Sequence, residues 1–266
     1  MNIDYTKLQG VSLSVRGLRK SYHGVEVLKG VDFEIKPGEI FVIMGPSGGG
    51  KSVMLRQIIG LEDPDAGKIL IEGQPFHALD GTARFRVAMV FQSGALLSSM
   101  TVGENVGFYL VEHHLKQPSE IAKIVAQELA QVGLKGSENK MPDELSGGMK
   151  KRVAIARALV IEPQLILYDE PTSELDPLSS VNIAEEIVKL NDRIHATTLV
   201  VSHDRDLAYG IGHRIAILDD GSIIAIGTPD EIKHSSNPRV RQFIDARIPP
   251  KPNAPTPVQS GLPVSF

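Results

Sequence analysis

Gly45-Pro46-Ser47-Gly48-Gly49-Gly50-Lys51-Ser52 is the stretch that decides the fold of this 266-residue chain. It fits G-x-x-x-x-G-K-[ST], the phosphate-binding P-loop. An apolar run, Ile40-Phe41-Val42-Ile43-Met44, precedes it, and a helical pattern, Ser52-Val53-Met54-Leu55-Arg56-Gln57-Ile58-Ile59, follows. Strand, loop and helix in that order are the context the motif requires. The glycines let the backbone wrap tightly round an anion, since no Cβ obstructs the approach. The loop N–H groups and the positive end of the helix dipole then face the phosphate. Lys51 is placed to reach the β- and γ-phosphates, and the Ser52 hydroxyl to ligate Mg²⁺. A plain Gly-rich turn has no need of the full match. By itself the motif says nucleotide and no more.

Bulk properties narrow the classes. Charge is nearly balanced, with 28 Lys+Arg against 32 Asp+Glu and a formal net charge of −4, and no basic block suggests a nucleic-acid groove. The absence of cysteine excludes a disulfide framework and thiolate metal sites. Met1-Asn2-Ile3-Asp4-Tyr5-Thr6-Lys7 lacks the charged-then-apolar pattern of a signal peptide. No run approaches the roughly 20 apolar residues that span a bilayer. Any membrane role is therefore expected to go through a partner.

Val11-Ser12-Leu13-Ser14-Val15, Val31-Asp32-Phe33-Glu34-Ile35 and, more loosely, Lys68-Ile69-Leu70-Ile71-Glu72 alternate with the period of strands. Pro37-Gly38 marks a turn, and Val87-Ala88-Met89-Val90-Phe91 reads as a buried strand. Residues 118–132 carry one apolar stripe, Ile121, Ile124, Val125, Leu129 and Val132, at helical spacing. Further helices are expected near 146–160 and 177–190, with strands at 165–168 and 197–201. Arg214 to Ile226 reads as a hairpin about Asp219-Asp220-Gly221, followed by short helices near 229–233 and 238–246. After Ile248 the composition turns to Pro-Pro-Lys-Pro-Asn-Ala-Pro-Thr-Pro. That predicts a core of 1–248 and an extended or disordered tail at 249–266. There is no internal repeat. Strands alternating with helices imply an α/β fold with a largely parallel sheet.

Two further stretches turn a nucleotide binder into an ATPase. Leu165-Ile166-Leu167-Tyr168-Asp169-Glu170 buries a strand and releases two carboxylates at its carboxyl end, the end that faces the ligand crevice of a parallel sheet. Asp169 is placed to hold Mg²⁺, and Glu170 to orient or deprotonate the attacking water. An Asp-Glu pair alone caps many strands; downstream of a P-loop it reads as catalytic. Leu145-Ser146-Gly147-Gly148-Met149, running into Lys150-Lys151-Arg152-Val153-Ala154, combines a helix N-cap with glycines at the positive end of a helix dipole. It is a second anion site, for which a single chain has no obvious use.

At this point the sequence resembles the ABC transporter ATPase family, whose signature is L-S-G-G-Q, over roughly residues 11–244. The resemblance implies a P-loop NTPase fold of the ABC type: a mainly parallel core sheet, an antiparallel N-terminal β subdomain, and a helical subdomain at about 93–160. It also implies ATP and Mg²⁺ as cofactors and a head-to-tail pair with a second copy. Ser146, Gly147 and Gly148 of one copy would close on the γ-phosphate held by the other. Tyr22 sits where the family stacks a ring on adenine. Gln92, in Val90-Phe91-Gln92-Ser93-Gly94, matches the glutamine that senses Mg²⁺ and the cargo side. Asp176, in Ser173-Glu174-Leu175-Asp176, matches a residue that communicates between the paired sites. His203 resembles the switch histidine at the γ-phosphate. Met149 departs from the family's glutamine and puts any polar contact of that side chain in question.

Within the family, Phe91-Gln92-Ser93-Gly94-Ala95-Leu96-Leu97, Thr101-Val102-Gly103-Glu104-Asn105-Val106 and the Leu-Ser-Gly-Gly-Met signature resemble the ATPases of Mla (Ttg2, Mkl-like) lipid transporters of Gram-negative bacteria. That resemblance implies phospholipid cargo moved between inner and outer membranes. The implied partners are a transmembrane permease, an MCE-domain substrate-binding protein and a small STAS-like cytoplasmic subunit. The place is the cytoplasmic face of the inner membrane, with membrane contact only through the permease. Leu96 and Leu97 are expected to contribute to permease docking, and the Pro-rich tail to stabilise the pair or dock the STAS-like subunit. The rival classes are an ABC ATPase serving another cargo and a non-transport scaffold of the cell-division or iron–sulfur assembly type. The translation type carries two motif sets in one chain; only one is present here.

Overall fold

The computed structural model describes residues 9–76 and 85–246. The Pro-rich tail lies outside them. Ten strands and eight α-helices are described, in two sheets. The first sheet has the order β2-β1-β4-β5, formed by β1 (Leu13–Tyr22), β2 (Val25–Ile35), β4 (Ala66–Ile71) and β5 (Gln74–Pro75). All its pairings are antiparallel. The second has the order β10-β9-β3-β8-β7-β6. Its members are β3 (Ile40–Met44), β6 (Val87–Val90), β7 (Leu165–Asp169), β8 (Thr197–Ser202), β9 (Arg214–Asp219) and β10 (Ser222–Gly227). The pairs among β9, β3, β8, β7 and β6 are parallel, and only β10 on β9 is antiparallel. The mainly parallel core sheet and the antiparallel N-terminal sheet are as expected.

The parallel sheet is apolar on both faces because each face has its own cover. Alternation sorts its residues. Phe41, Ile43, Leu165, Leu167, Leu199 and Val201 face the antiparallel sheet and α1 (Lys51–Ile58). Ile40, Val42, Met44, Ile166, Tyr168 and Val200 face the other helices. Those are α2 (Val102–Glu112), α3 (Pro118–Gln131), α4 (Gly147–Leu159), α5 (Pro177–Ile194) and α6 (Arg205–Ile211). The stripe read at 118–132 is core-facing as expected: Ile121, Ile124, Val125 and Leu129 are buried. Two short helices, α7 (Pro229–Lys233) and α8 (Pro238–Ile244), close the described chain.

Two helices escaped the periodicity. α2 opens on a capping box: the Thr101 hydroxyl accepts from Glu104 N at 3.2 Å and the Glu104 carboxylate from Thr101 N at 2.7 Å. Its outward face is itself apolar, so no clean amphipathic stripe marks it. α6 has seven residues, too few for periodicity, and rests on the Asp204 carboxylate, which accepts from Asp206 N and Leu207 N at 2.9 and 3.1 Å.

Candidate nucleotide site

β3 delivers the chain into the P-loop at its carboxyl end, and α1 leaves it at Lys51. Two glycines are dictated by their surroundings. A Cβ at Gly45 would lie 2.2 Å from the Leu218 carbonyl oxygen of β9. Gly50 stands at φ 96°, and a Cβ there would meet Leu28 Cδ2 at 2.8 Å. At these two positions the loop presses on β9 and β2 too closely for a side chain.

The cradle is built around Lys51. Its ammonium, only 5% exposed, donates to the Gly45 and Pro46 carbonyls at 2.8 and 3.0 Å and lies 3.4 Å from Glu170 Oε1. These oxygens take up the ammonium that phosphate oxygens would otherwise engage. The Ser52 hydroxyl donates to Asp169 Oδ1 at 2.9 Å. Two hard oxygen donors in contact, one a carboxylate, fit the needs of Mg²⁺ alongside phosphate. Burial raises the Asp169 carboxyl above the usual range. The Glu170 charge adds to that rise, while the Ser52 hydrogen bond opposes it.

Glu170 is gripped from the other side by β8 and its exit. Its Oε2 accepts from the Ser202 hydroxyl at 3.1 Å and His203 N at 3.3 Å, and lies 2.9 Å from His203 Nδ1. Glu170 stands at φ 47°, in the left-handed region, which carries strain of roughly 1–3 kcal/mol for a residue with a Cβ. Its N–H donates to the Val201 carbonyl at 2.9 Å. A cavity of about 260 Å³ opens among Ser47, Gly48 and Gly50 to Ser52 of the P-loop, Gln92, Glu170 and His203. The structure thus brings together Lys51, Ser52, Gln92, Asp169, Glu170 and His203 from four segments of the chain.

Other expected residues stand apart from that cavity. Tyr22, at the end of β1, donates its hydroxyl to Glu62, which also accepts from Arg56 of α1 at 2.6 Å. The ring is thereby fixed to the P-loop helix, with the Lys20 ammonium 5.7 Å from its centroid. The Glu62 hydrogen bond, with burial, raises the Tyr22 hydroxyl above its usual pKa. Ser146 caps α4, its hydroxyl accepting from Met149 N at 3.3 Å. Ser146, Gly147 and Gly148 do not line the P-loop cavity; Gly147 and Gly148 adjoin Leu175 and Ser179 instead. Met149 packs against the hydrophobic core, so the departure from glutamine converts a polar position into an apolar contact. Asp176 caps α5, accepting from Ser179 N at 3.0 Å and Ser179 Oγ at 2.5 Å.

Sequence reading passed over Ser202 and Lys151. Ser202 sits between Glu170 and Asp204 N, which donates to its hydroxyl at 3.0 Å. Lys151 is a buried ammonium on α4; its one signal is a lysine amid the otherwise apolar positions that α4 turns inward.

A P-loop over Ser52 and Asp169, a carboxylate facing it across the cavity, and a separate capped helix end define a nucleotide-hydrolysing engine of the P-loop class. A profile of the family described as "ABC transporter" matches residues 28–173. The protein described as probable ribonucleotide transport ATP-binding protein mkl, from Mycobacterium tuberculosis, is 40% identical over 242 residues, covering 90% of this chain and 67% of that one. The chloroplastic protein trigalactosyldiacylglycerol 3 of Arabidopsis thaliana is 41% identical over 256 residues (88% and 73%). The sulfate/thiosulfate import ATP-binding protein CysA of Caulobacter vibrioides is 40% identical over 225 residues (84% and 66%). Among solved structures, the dimeric post-hydrolysis ATP-binding cassette MJ0796, bound to ADP and phosphate, superposes with a TM-score of 0.74. It is 34% identical, and the match covers 82% of this chain and 98% of that one. The chain belongs to the ABC transporter ATP-binding family. It is an ATP-hydrolysing subunit that uses ATP with Mg²⁺, and members of the family dimerise and work with a transmembrane permease.

Proposed function

We propose that this chain powers a lipid transporter of the Mla or Mkl type, hydrolysing ATP as a head-to-tail pair. The observation that carries the hydrolytic part is the clasp on Glu170. One carboxylate oxygen meets Lys51, and the other meets Ser202 and His203. In the cycle, Lys51 exchanges the Gly45 and Pro46 carbonyls for β- and γ-phosphate oxygens. The loop N–H groups hold the remaining phosphate charge. Ser52 and Asp169, with Gln92, would hold Mg²⁺, which would supply positive charge against the charge that develops on the transferred phosphoryl group. Glu170 orients the water and accepts its proton. His203 turns from Glu170 to the γ-phosphate. The Ser146 end of α4, with Gly147 and Gly148, closes on the γ-phosphate of the second copy, and Asp176 lies between the two sites. Tyr22 offers its free ring face to adenine.

Lipid cargo is supported by a relative named for a galactolipid and by the three sequence segments quoted above, whereas mkl is named for ribonucleotide transport. CysA at equal identity favours a second reading, an importer of small solutes, because cargo contacts lie in the permease rather than in the engine. Docking to a permease is supported by apolar side chains left in water: Leu97 is 41% exposed, and Phe108, Tyr109, Val111 and Leu115 of α2 and its exit are 38–56% exposed. Leu96 packs against the core instead, so Leu97 carries the docking role. Among the described residues no helix is long and apolar enough to cross a membrane.

Mild-detergent co-purification from native membranes, with protein and lipid identified by mass spectrometry, tests the assignment. A permease, an MCE-domain protein and a STAS-like protein with bound phospholipid are the expected set. A different permease overturns the cargo, and a purely soluble partner set overturns the transport role.

A further inference from the structure

Lys151 does not line the cavity, yet its ammonium is buried among three acceptors. It is 5% exposed. It donates to the main-chain oxygen of Gln92, to the main-chain oxygen of Glu170 at 3.2 Å and to Ser173 Oγ at 3.4 Å. An ammonium has three protons to give, and here one goes to the loop after β6 and two to the turn that joins β7 to α5. A buried ammonium is tolerated when its protons are bonded and carboxylates stand near. Burial pushes its pKa down, and Glu174, Asp169 and Glu170 oppose that.

The Glu170 carbonyl is where this matters. A non-glycine residue keeps a left-handed conformation only when its surroundings hold it there. Besides Lys151, that carbonyl accepts from Ser173 N at 3.1 Å and Ser173 Oγ at 2.8 Å. Lys151 also holds Ser173, so it fastens the carbonyl directly and through the hydroxyl. Further along α4, Arg157 donates to the Gly94 and Ala95 carbonyls, both at 2.7 Å. The loop bearing Gln92 therefore hangs by its carbonyls from the helix whose other end is Ser146.

We propose that Lys151 is a positioning residue for ATP hydrolysis. It holds the Glu170 backbone in the left-handed turn that aims the carboxylate at the water, and it ties that turn to the Gln92 loop. The proposal rests on the reading of Glu170 as the group that orients water. Lys151 touches neither nucleotide nor metal, so its loss moves turnover and not binding.

The test uses the full chain in its assembled transporter, with kcat and KM for ATP measured alongside nucleotide affinity. Lys151→Met should lower kcat on the order of tenfold or more, as misplacement of a catalytic group does. KM and affinity should stay within about twofold, since uniform binding is untouched. Lys151→Gln, which keeps two N–H donors, should recover most of the loss. In a Glu170→Gln background, followed as single-turnover release of labelled phosphate, Lys151→Met should change the residual rate by no more than about twofold, because a residue acting through the carboxylate has nothing left to aim. An unchanged kcat in Lys151→Met overturns the proposal. So does a loss that is fully additive with Glu170→Gln, or a raised KM at constant kcat. Should Lys151→Met fail to fold, Ser173→Ala removes a neighbouring donor without touching charge. It should lower kcat at constant KM, and no change there overturns the proposal equally. A Glu170→Gln variant that hydrolyses at the parental rate refutes the reading of Glu170 itself, before Lys151 is altered.

Discussion

Asn105→Ala removes one fully buried side chain that organises the segment between Gln92 and α2. Its amide Nδ2 donates to the carbonyls of Leu97, Met100 and Thr101 at 3.0, 3.1 and 3.0 Å, and its Oδ1 accepts from Leu97 N at 2.7 Å. The Thr101 and Leu97 carbonyls keep partners, since Asn105 N donates to the first at 2.9 Å and Met100 N to the second at 3.2 Å, and Met100 and Leu97 stand near enough to solvent for water to reach part of the rest. The Leu97 N–H and one carbonyl are then the groups left unpaired, at about 1–3 kcal/mol each. Partial hydration brings the sum to roughly 3 kcal/mol. At about 2–4 °C per kcal/mol for a chain of this size, the midpoint should fall by roughly 6–12 °C. Differential scanning calorimetry measures it. Because the damage is confined to the face proposed for permease docking, basal ATP hydrolysis should persist while permease-stimulated hydrolysis falls. A midpoint within about 1 °C of the parent would refute the accounting. Loss of basal hydrolysis at an unchanged midpoint would refute the placement.

Asp169→Asn separates stability from function. The Asp169 carboxyl is raised in the folded chain, so its favourable contribution is complete below its unfolded pKa and is lost as pH rises through the folded value. At pH 7 without nucleotide, the variant should therefore melt at or above the parent while Mg²⁺-dependent ATP binding weakens. Thermal melts from pH 4 to 8 and nucleotide titrations check both halves. Lys51→Ala should weaken ATP binding by a factor of ten or more, measured with a fluorescent nucleotide, through loss of its phosphate contacts. Gly45→Ala drives a methyl into the Leu218 carbonyl at 2.2 Å and should abolish nucleotide binding or soluble expression, whereas Gly48→Ala, which meets open space and bears only the strain of its φ of 79°, roughly 1–2 kcal/mol, should keep the fold. Leu97→Asp should leave basal hydrolysis unchanged and reduce recovery of a permease on co-purification.

The parts of the fold that announced themselves were those where local pattern and buried environment agree. β3, β7 and β8 are apolar on both faces because both faces are covered, and their runs stand out. The P-loop and α1 follow from glycines whose positions the neighbouring backbone dictates. α2 was less legible because its outward residues, Phe108, Tyr109 and Val111, are as apolar as its inward ones; the capping box at Thr101 and Glu104 was the available signal. β1 and β2 run longer than their alternating cores, through register shifts that break the period of two.

The site shows the same division. Lys51, Ser52, Asp169, Glu170 and His203 meet because each lies at the carboxyl end of a parallel strand, in the loop leaving it or in the first turn of the helix that follows, and strand order converts sequence positions into one crevice. What sequence could not show is the support around them. The anchoring of Tyr22 by Glu62, the hydroxyl of Ser202 under Glu170, and Lys151 beneath the Gln92 loop all join segments far apart in the chain. Nothing in local spacing marks such contacts. Met149 is a related case, since only its packing shows that an apolar side chain suits that position.

Single-turnover hydrolysis of labelled ATP by Glu170→Gln in the assembled transporter tests the central claim most directly. The substitution keeps the shape of the side chain and its acceptor oxygen and removes its charge. Phosphate release should slow by roughly 10²- to 10⁴-fold, the contribution of a positioned general base, with ATP retained on the protein at near-parental affinity. Hydrolysis at the parental rate would contradict the account, because the geometry around Glu170 would then serve some purpose other than cleaving ATP.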